Sequence, residues 1–157
     1  MERNSRETLS TEELEEVLGR TRPERLPEFF QTCGESLWRS PRPFADYMRE
    51  TIRKKGLLQQ EVFLEADIPE SYGYRLISGE RHTRKRDVIL RICCGARFDL
   101  KETRRALRLA GMGDLYPRIP RDAALILAVR EGLKVDQVND LLTAGGFPSL
   151  QKSGAGD

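Results

Sequence analysis

Shifting the chain by 35 positions lays RDVILRICCGARFDLKETRRALRLAGMGDL (86–115) over RDAALILAVREGLKVDQVNDLLTAGGFPSL (121–150) without a gap. Six of the 30 aligned positions are identical: Arg86/Arg121, Asp87/Asp122, Leu90/Leu125, Leu107/Leu142, Gly111/Gly146 and Leu115/Leu150. Apolar character also recurs at Phe98/Leu133, Leu100/Val135 and Met112/Phe147. Each copy reads as helix, short turn, helix, then a Gly-marked stop and a hydrophobic tail that folds back. Asp99 with Glu102 supplies a capping box for the second helix of the first copy. Two copies are fewer than a free-standing solenoid needs, so both are expected to pack on the helices that precede them.

Those helices follow from periodicity. Ser10 and Glu13 form a capping box ahead of the stripe Leu14, Val17, Leu18, and Gly19 marks a stop. A second helix opens near Pro23, with Leu26, Phe29, Phe30, Cys33 and Leu37 at helical spacing, and the SPRP stretch 40–43 breaks it. Residues 1–41 are thus expected to form an acidic helical hairpin, frayed at its start. Pro43 opens a helix whose buried stripe is Phe44, Tyr47, Met48 and Ile52; Gly56 suits its left-handed cap. Leu57, Val62, Phe63 and Ala66 mark a short helix, and after Asp67-Ile68, Pro69 starts another that Gly79 closes. No segment alternates with period two over the length of a strand, so the fold expected is all-α. The organisation expected is an N-terminal hairpin over 1–41, a central domain over 43–115, the second hairpin over 116–150 and a disordered tail over 151–157.

The net charge of +2 conceals a split. Residues 1–28 carry eight Glu against five Arg, or −3, which leaves +5 for the remainder. Between Arg75 and Arg86 lie five basic residues (Arg75, Arg81, Arg84, Lys85, Arg86) and one acid, Glu80. A local concentration of cations is the electrostatic footprint that a nucleic acid requires. With one histidine, His82, a His-rich metal site or a Ser-His-Asp site is not expected, and no phosphate-cradling or C-x-x-C motif occurs. Cys33, Cys93 and Cys94 read as small buried hydrophobes in a reducing compartment. No enzyme activity, cofactor or metal is expected. No apolar run has the length of a membrane span, and the polar N-terminus does not suit a secretory signal, so the expected location is cytoplasmic.

The stretch GLLQQEVFLEADIPESYGYRLISGERHTRKR (56–86) has the form of two short helices, a sharp turn and a basic loop. The major groove of B-DNA admits one helix, and a second helix laid across the backbone fixes its angle. The turn needs a left-handed residue at its centre, which falls on Asp67. Val62, Ala66, Ile68 and Leu76 lie where the helices must touch. Gln59 and Gln60 start the first helix, where amides can hold a phosphate.

Residues 44–110, through Gln59, Val62-Phe63, Ile68 and Gly79, resemble the Xre-type, lambda-repressor-like helix-turn-helix domain of five helices. YGYRLISGERHTRKRDVIL, LYPRIPRDA and NDLL also resemble bacterial regulators in which this domain continues into an extra helical hairpin. The chain departs from the family at Pro69, Glu70 and Gly73. The resemblance implies a sequence-specific regulator of transcription that binds double-stranded DNA, with a recognition helix over about 69–78, acting as a homodimer. Ser71, Tyr72 and Arg75 would then face base edges with Glu70 at the rim, while Gln59, Gln60, Tyr74, Arg81, His82, Arg84 and Lys85 would lie along phosphates. The alternative is a non-catalytic adaptor that keeps the fold and binds protein. The N-terminal or C-terminal hairpin would serve a regulatory partner, or the acidic hairpin would compete with DNA for the basic loop.

Overall fold

The computed structural model describes residues 8–38 and 40–152. Most of the start expected to fray (1–7 of 1–8) and most of the tail expected to be disordered (153–157 of 151–157) lie outside them. Among the described residues all regular structure is helical, and no helix is long and apolar enough to cross a membrane. The chain divides into two compact units, Met1–Pro41 and Arg42–Asp157.

In the first unit, α1 (Thr11–Arg20) opens on the expected capping box: Glu13 N donates to Ser10 Oγ (3.2 Å) and Ser10 N to Glu13 Oε2 (2.6 Å). Gly19 does not end the helix; Thr21 does, its hydroxyl donating to Val17 O at 2.6 Å. A 3-10 turn over Pro23–Arg25 precedes α2 (Leu26–Cys33), and a second over Gly34–Ser36 follows. Phe29 and Cys33 are buried, whereas Leu18, Leu26 and Phe30 remain about half exposed.

The second unit contains α3 (Pro43–Lys54), α4 (Gln59–Ala66), α5 (Glu70–Ser78), α6 (Arg86–Gly95), α7 (Leu100–Leu109), α8 (Pro120–Arg130) and α9 (Val135–Ala144). One core joins them. Tyr47, Met48 and Ile52 of α3, Val62, Phe63 and Ala66 of α4, and Leu76 and Ile77 of α5 meet the apolar faces of α6 and α7. Leu125, Ala128, Val138, Leu142 and Leu150 extend the same cluster into the second hairpin. Burying side chains of this size contributes roughly 1.5–3 kcal/mol each.

The repeat is structural down to its backbone. Left-handed residues recur at the same spacing, Arg97 (φ 57°) with Gly132 (φ 66°) and Gly111 (φ 71°) with Gly146 (φ 80°). The closing bonds correspond too: Phe98 N to Cys93 O matches Leu133 N to Ala128 O, and Met112 N to Leu107 O matches Phe147 N to Leu142 O. Asp99 and Glu102 make their capping box.

The identical Arg-Asp pairs that open the copies are exchanged between them. Arg86 grips Asp122 (2.5 and 3.2 Å), and Arg121 grips Asp87 (3.0 Å twice). The main-chain bonds repeat the exchange: Tyr116 N donates to Asp122 Oδ2 (3.0 Å) and its counterpart Gln151 N to Asp87 Oδ2 (2.9 Å). Each arginine also reaches its own copy's tail, Arg86 to Asp114 O and Arg121 to Ser149 O. The exchange is therefore reciprocal, each buried carboxylate held by the half-buried arginine of the other copy. Burial pushes the Asp122 carboxyl up, but the hydrogen bonds from Arg86 and Tyr116 N outweigh it and hold it below the usual carboxylate range.

Gln151 and Lys152 do not belong to a disordered tail. Beyond the Gln151–Asp87 bond, Arg91 donates to the carbonyls of Leu150 (2.7 Å) and Gln151 (3.0 Å), and Lys152 meets Asp67 at 2.5 Å.

Candidate nucleic-acid interface

The α4–α5 corner begins with a residue whose backbone conformation ends the helix. Asp67 adopts φ 53°, ψ 52°, the left-handed conformation expected of it. Its N–H reaches Leu64 O and that of Ile68 reaches Phe63 O, so the last turn of α4 closes on the chain itself. The Lys152 ammonium beside Asp67 holds its carboxyl below the usual range. Pro69 stands one position outside α5, as its N-cap, rather than at the first helical position. Neither α4 nor α5 begins with a side-chain cap, so no N-cap side chain satisfies the first-turn N–H groups of either helix.

Gly73 explains the approach of the two helices. A Cβ built there would fall on Phe63 Cδ1, so the Phe63 ring of α4 occupies the space of a side chain on α5. The same ring meets Tyr74 edge-on, with centroids 5.0 Å apart. An arginine that sequence reasoning passed over closes the far end of α5: Arg42 donates to Ser78 O at 3.2 Å, and its Cδ lies 2.6 Å from where a Cβ on Gly79 would fall.

Helix α5 sorts its residues cleanly. Tyr72, Gly73, Leu76 and Ile77 are buried, and Glu70, Ser71, Tyr74 and Arg75 are exposed. Tyr72, expected among the groups facing base edges, is only 8% exposed. Four residues before Leu76, it belongs to the inward stripe, and the Arg81 guanidinium covers its ring at 5.2 Å. The structure thus brings Glu70, Ser71 and Arg75 together on one helix face and places Tyr72 behind it.

The loop after Gly79 folds back on α5 through Arg81 N to Arg75 O at 3.0 Å. His82 and Arg84 are exposed; Arg81 and Lys85 are half-buried. Arg86, the fifth cation of this run, is committed to Asp122. At the start of α4, Gln59 is half-buried and Gln60 exposed. Glu61, Glu70 and Glu80 are exposed acids along the same face and loop.

Two further residues fix the corner from behind. A Cβ at Gly95 of α6 would fall 2.5 Å from Val62 O and 2.9 Å from Ala66 N, so α6 packs directly against the backbone of α4. Arg91, 3% exposed, donates to Ala66 O at 3.1 Å and satisfies a terminal carbonyl of α4. Their signal in the sequence was a charge and a glycine inside the apolar run VILRICCGA. The Cys93 and Cys94 thiols nearby are pushed up by burial, Cys94 to about 11, which keeps them protonated and unreactive near neutral pH.

Comparison of the chain with family models, with curated proteins and with solved structures gives no significant match.

Proposed function

We propose that α4, the Asp67 corner, α5 and the loop to Lys85 form a lambda-repressor-like helix-turn-helix that binds double-stranded DNA and regulates transcription. The observation that carries this reading is the left-handed Asp67 corner, which leaves one face of α5 exposed beside a basic loop. In this account α5 enters the major groove, with Ser71 and Arg75 at base edges and Glu70 at the rim, where it can accept from a cytosine amino group. The N-terminus of α4, with Gln59 and Gln60, holds a phosphate. Tyr74 flanks the backbone, and His82, Arg84 and Lys85 bind phosphates. Tyr72 acts as the platform on which Arg81 is held toward a phosphate, replacing the base contact expected of it. The protein acts in the cytoplasm as a dimer on paired half-sites.

Anisotropy titrations of labelled duplex with the full chain test the proposal. Binding should weaken steeply with salt. Arg75→Ala with Arg84→Ala should weaken it further and lower the log–log salt slope by about 0.9 for each phosphate no longer neutralised. Binding insensitive to salt, or untouched by the double substitution, would sink it.

The adaptor reading is favoured by one observation: Leu58 and Leu64, 64% and 78% exposed, flank the acidic Glu61 and Glu65 on the outside of α4. A stoichiometric protein partner whose binding is abolished by Leu64→Glu, without co-purifying nucleic acid, would support it.

A further inference from the structure

The repeat separates what both hairpins carry from what only one of them has. Arg91 belongs to the second kind, because its counterpart 35 positions on is Ile126. A guanidinium only 3% exposed thus stands where the other copy has an aliphatic side chain. Burying it is costly unless its N–H groups find acceptors, and they find them on two distant segments. Nη1 donates to Ala66 O at the end of α4 (3.1 Å), Nε to Gln151 O (3.0 Å) and Nη2 to Leu150 O (2.7 Å). The segment after α9 carries a second departure, since Lys152 replaces Pro117 of the first copy. Its ammonium meets Asp67 at 2.5 Å. Arg91 and Lys152 therefore engage Ala66 and Asp67, successive residues of the α4–α5 corner. Residues 150–152 are themselves anchored: Leu150 is buried with its N–H on Asn139 Oδ1 (2.8 Å), and Gln151 N donates to Asp87 Oδ2 (2.9 Å).

We infer that residues 150–152 are a strap on the α4–α5 corner, and that Arg91 is the positioning residue through which the strap holds α5 at its angle to α4. The two contacts differ in weight. The Lys152–Asp67 pair is more than half exposed on both sides and contributes little by itself. Arg91 carries the coupling, because release of the strap leaves two of its buried nitrogens without their acceptors. The guanidinium then has no fixed seat from which to satisfy Ala66 O. Asp67, held in a left-handed conformation that a non-glycine residue keeps only where its surroundings enforce it, loses support on both sides. The second hairpin is in this way linked to the corner energetically, beyond sharing its core. The consequence for DNA rests on the function proposed above. A helix-turn-helix reads bases only while one helix fixes the angle of the other. Opening the strap therefore weakens binding without removing a phosphate contact.

Amide hydrogen exchange of the full chain, followed by NMR without DNA, tests it. Gln151→Pro with Lys152→Glu removes the donor to Asp87 and sets a carboxylate against Asp67; both side chains are exposed, so the core is untouched. Exchange at the Asp67 and Ile68 amides, which close the end of α4, should rise about tenfold or more. The Leu57 amide, bonded to Ile52 O at the end of α3, should not change. Arg91→Met should raise the same two amides and add little to the strap variant, since both changes break one contact. If Arg91→Met does not fold, the strap variant decides alone. In duplex titrations the strap variant should raise Kd about tenfold at an unchanged log–log salt slope. The exchange measurement uses no DNA, so the strap and the proposed function fail separately. Exchange at Asp67 and Ile68 unmoved by the strap variant, or strap and Arg91 effects that simply add, would overturn the inference.

Discussion

Single side chains decide how this molecule is held together, and the buried carboxylate Asp122 is the clearest case. It is almost fully buried, and accepts from both guanidinium nitrogens of Arg86 and from Tyr116 N. Its pKa in the folded chain lies below the unfolded value of roughly 3.9, so its contribution to stability is present above about pH 4 and disappears as the pH falls through the folded-state value. Asp122→Asn leaves Arg86 without its charge partner, and should cost about 3 kcal/mol in urea denaturation at neutral pH. The gap between the native chain and the variant should narrow progressively below about pH 4, where the native carboxyl also becomes neutral. A gap independent of pH would mean that the pair contributes shape and not charge. Residue-scale expectations from periodicity fared unevenly for the same reason. Val62, Ala66, Ile68 and Leu76 are buried as their spacing demanded, whereas Tyr72 combines a polar tip with an inward position, and its type alone could not decide its direction.

Among the elements, local chemistry was legible wherever a residue's own backbone preference decided the outcome. The Ser10 and Asp99 capping boxes, the left-handed Asp67 and the stops at Gly56, Gly79, Gly111 and Gly146 all follow from rules acting within a few residues. What was not legible involves pairs distant in sequence. The repeat showed that Arg86-Asp87 and Arg121-Asp122 correspond, but the exchange of partners between the copies exists only once the hairpins are docked. Gly95 belongs to the same class. A glycine within a helix ordinarily destabilises by about 1 kcal/mol relative to alanine, so Gly95→Ala would be stabilising if α6 stood alone. Here the new methyl would meet the Val62 carbonyl at 2.5 Å, backbone that cannot turn aside. The expected outcome is a drop of about 1–3 kcal/mol in denaturant unfolding, with the packing of α4 on α6 loosened. Unchanged or increased stability would show that α4 can retreat at little cost. Gly73 is the counterpart on α5, where an unusual glycine in the recognition-helix pattern is accounted for by the Phe63 ring beside it.

At the scale of the whole molecule, the second unit is one core with two different outer faces. One is the exposed side of α5 with the Arg81–Lys85 loop, carrying the cations that the charge split located. The other is the exposed stripe of α8, where Leu127 is 57% exposed and its counterpart Ile92 on α6 is buried. The all-α class was legible from periodicity. The candidate DNA face was legible in part, since the basic loop and corner were evident but the commitment of Arg86 to Asp122 and of Tyr72 to Arg81 was not. The central claim is that α5 reads base edges while the loop grips phosphates. The most direct test is an unbiased selection of duplexes bound by the full chain, repeated with Arg75→Ala. The account predicts an enriched sequence for the native chain, and for the variant a weakened preference at one position worth about 1–3 kcal/mol with salt-sensitive binding retained. Recovery of no enriched sequence, or the same sequence at undiminished preference with Arg75→Ala, would contradict it.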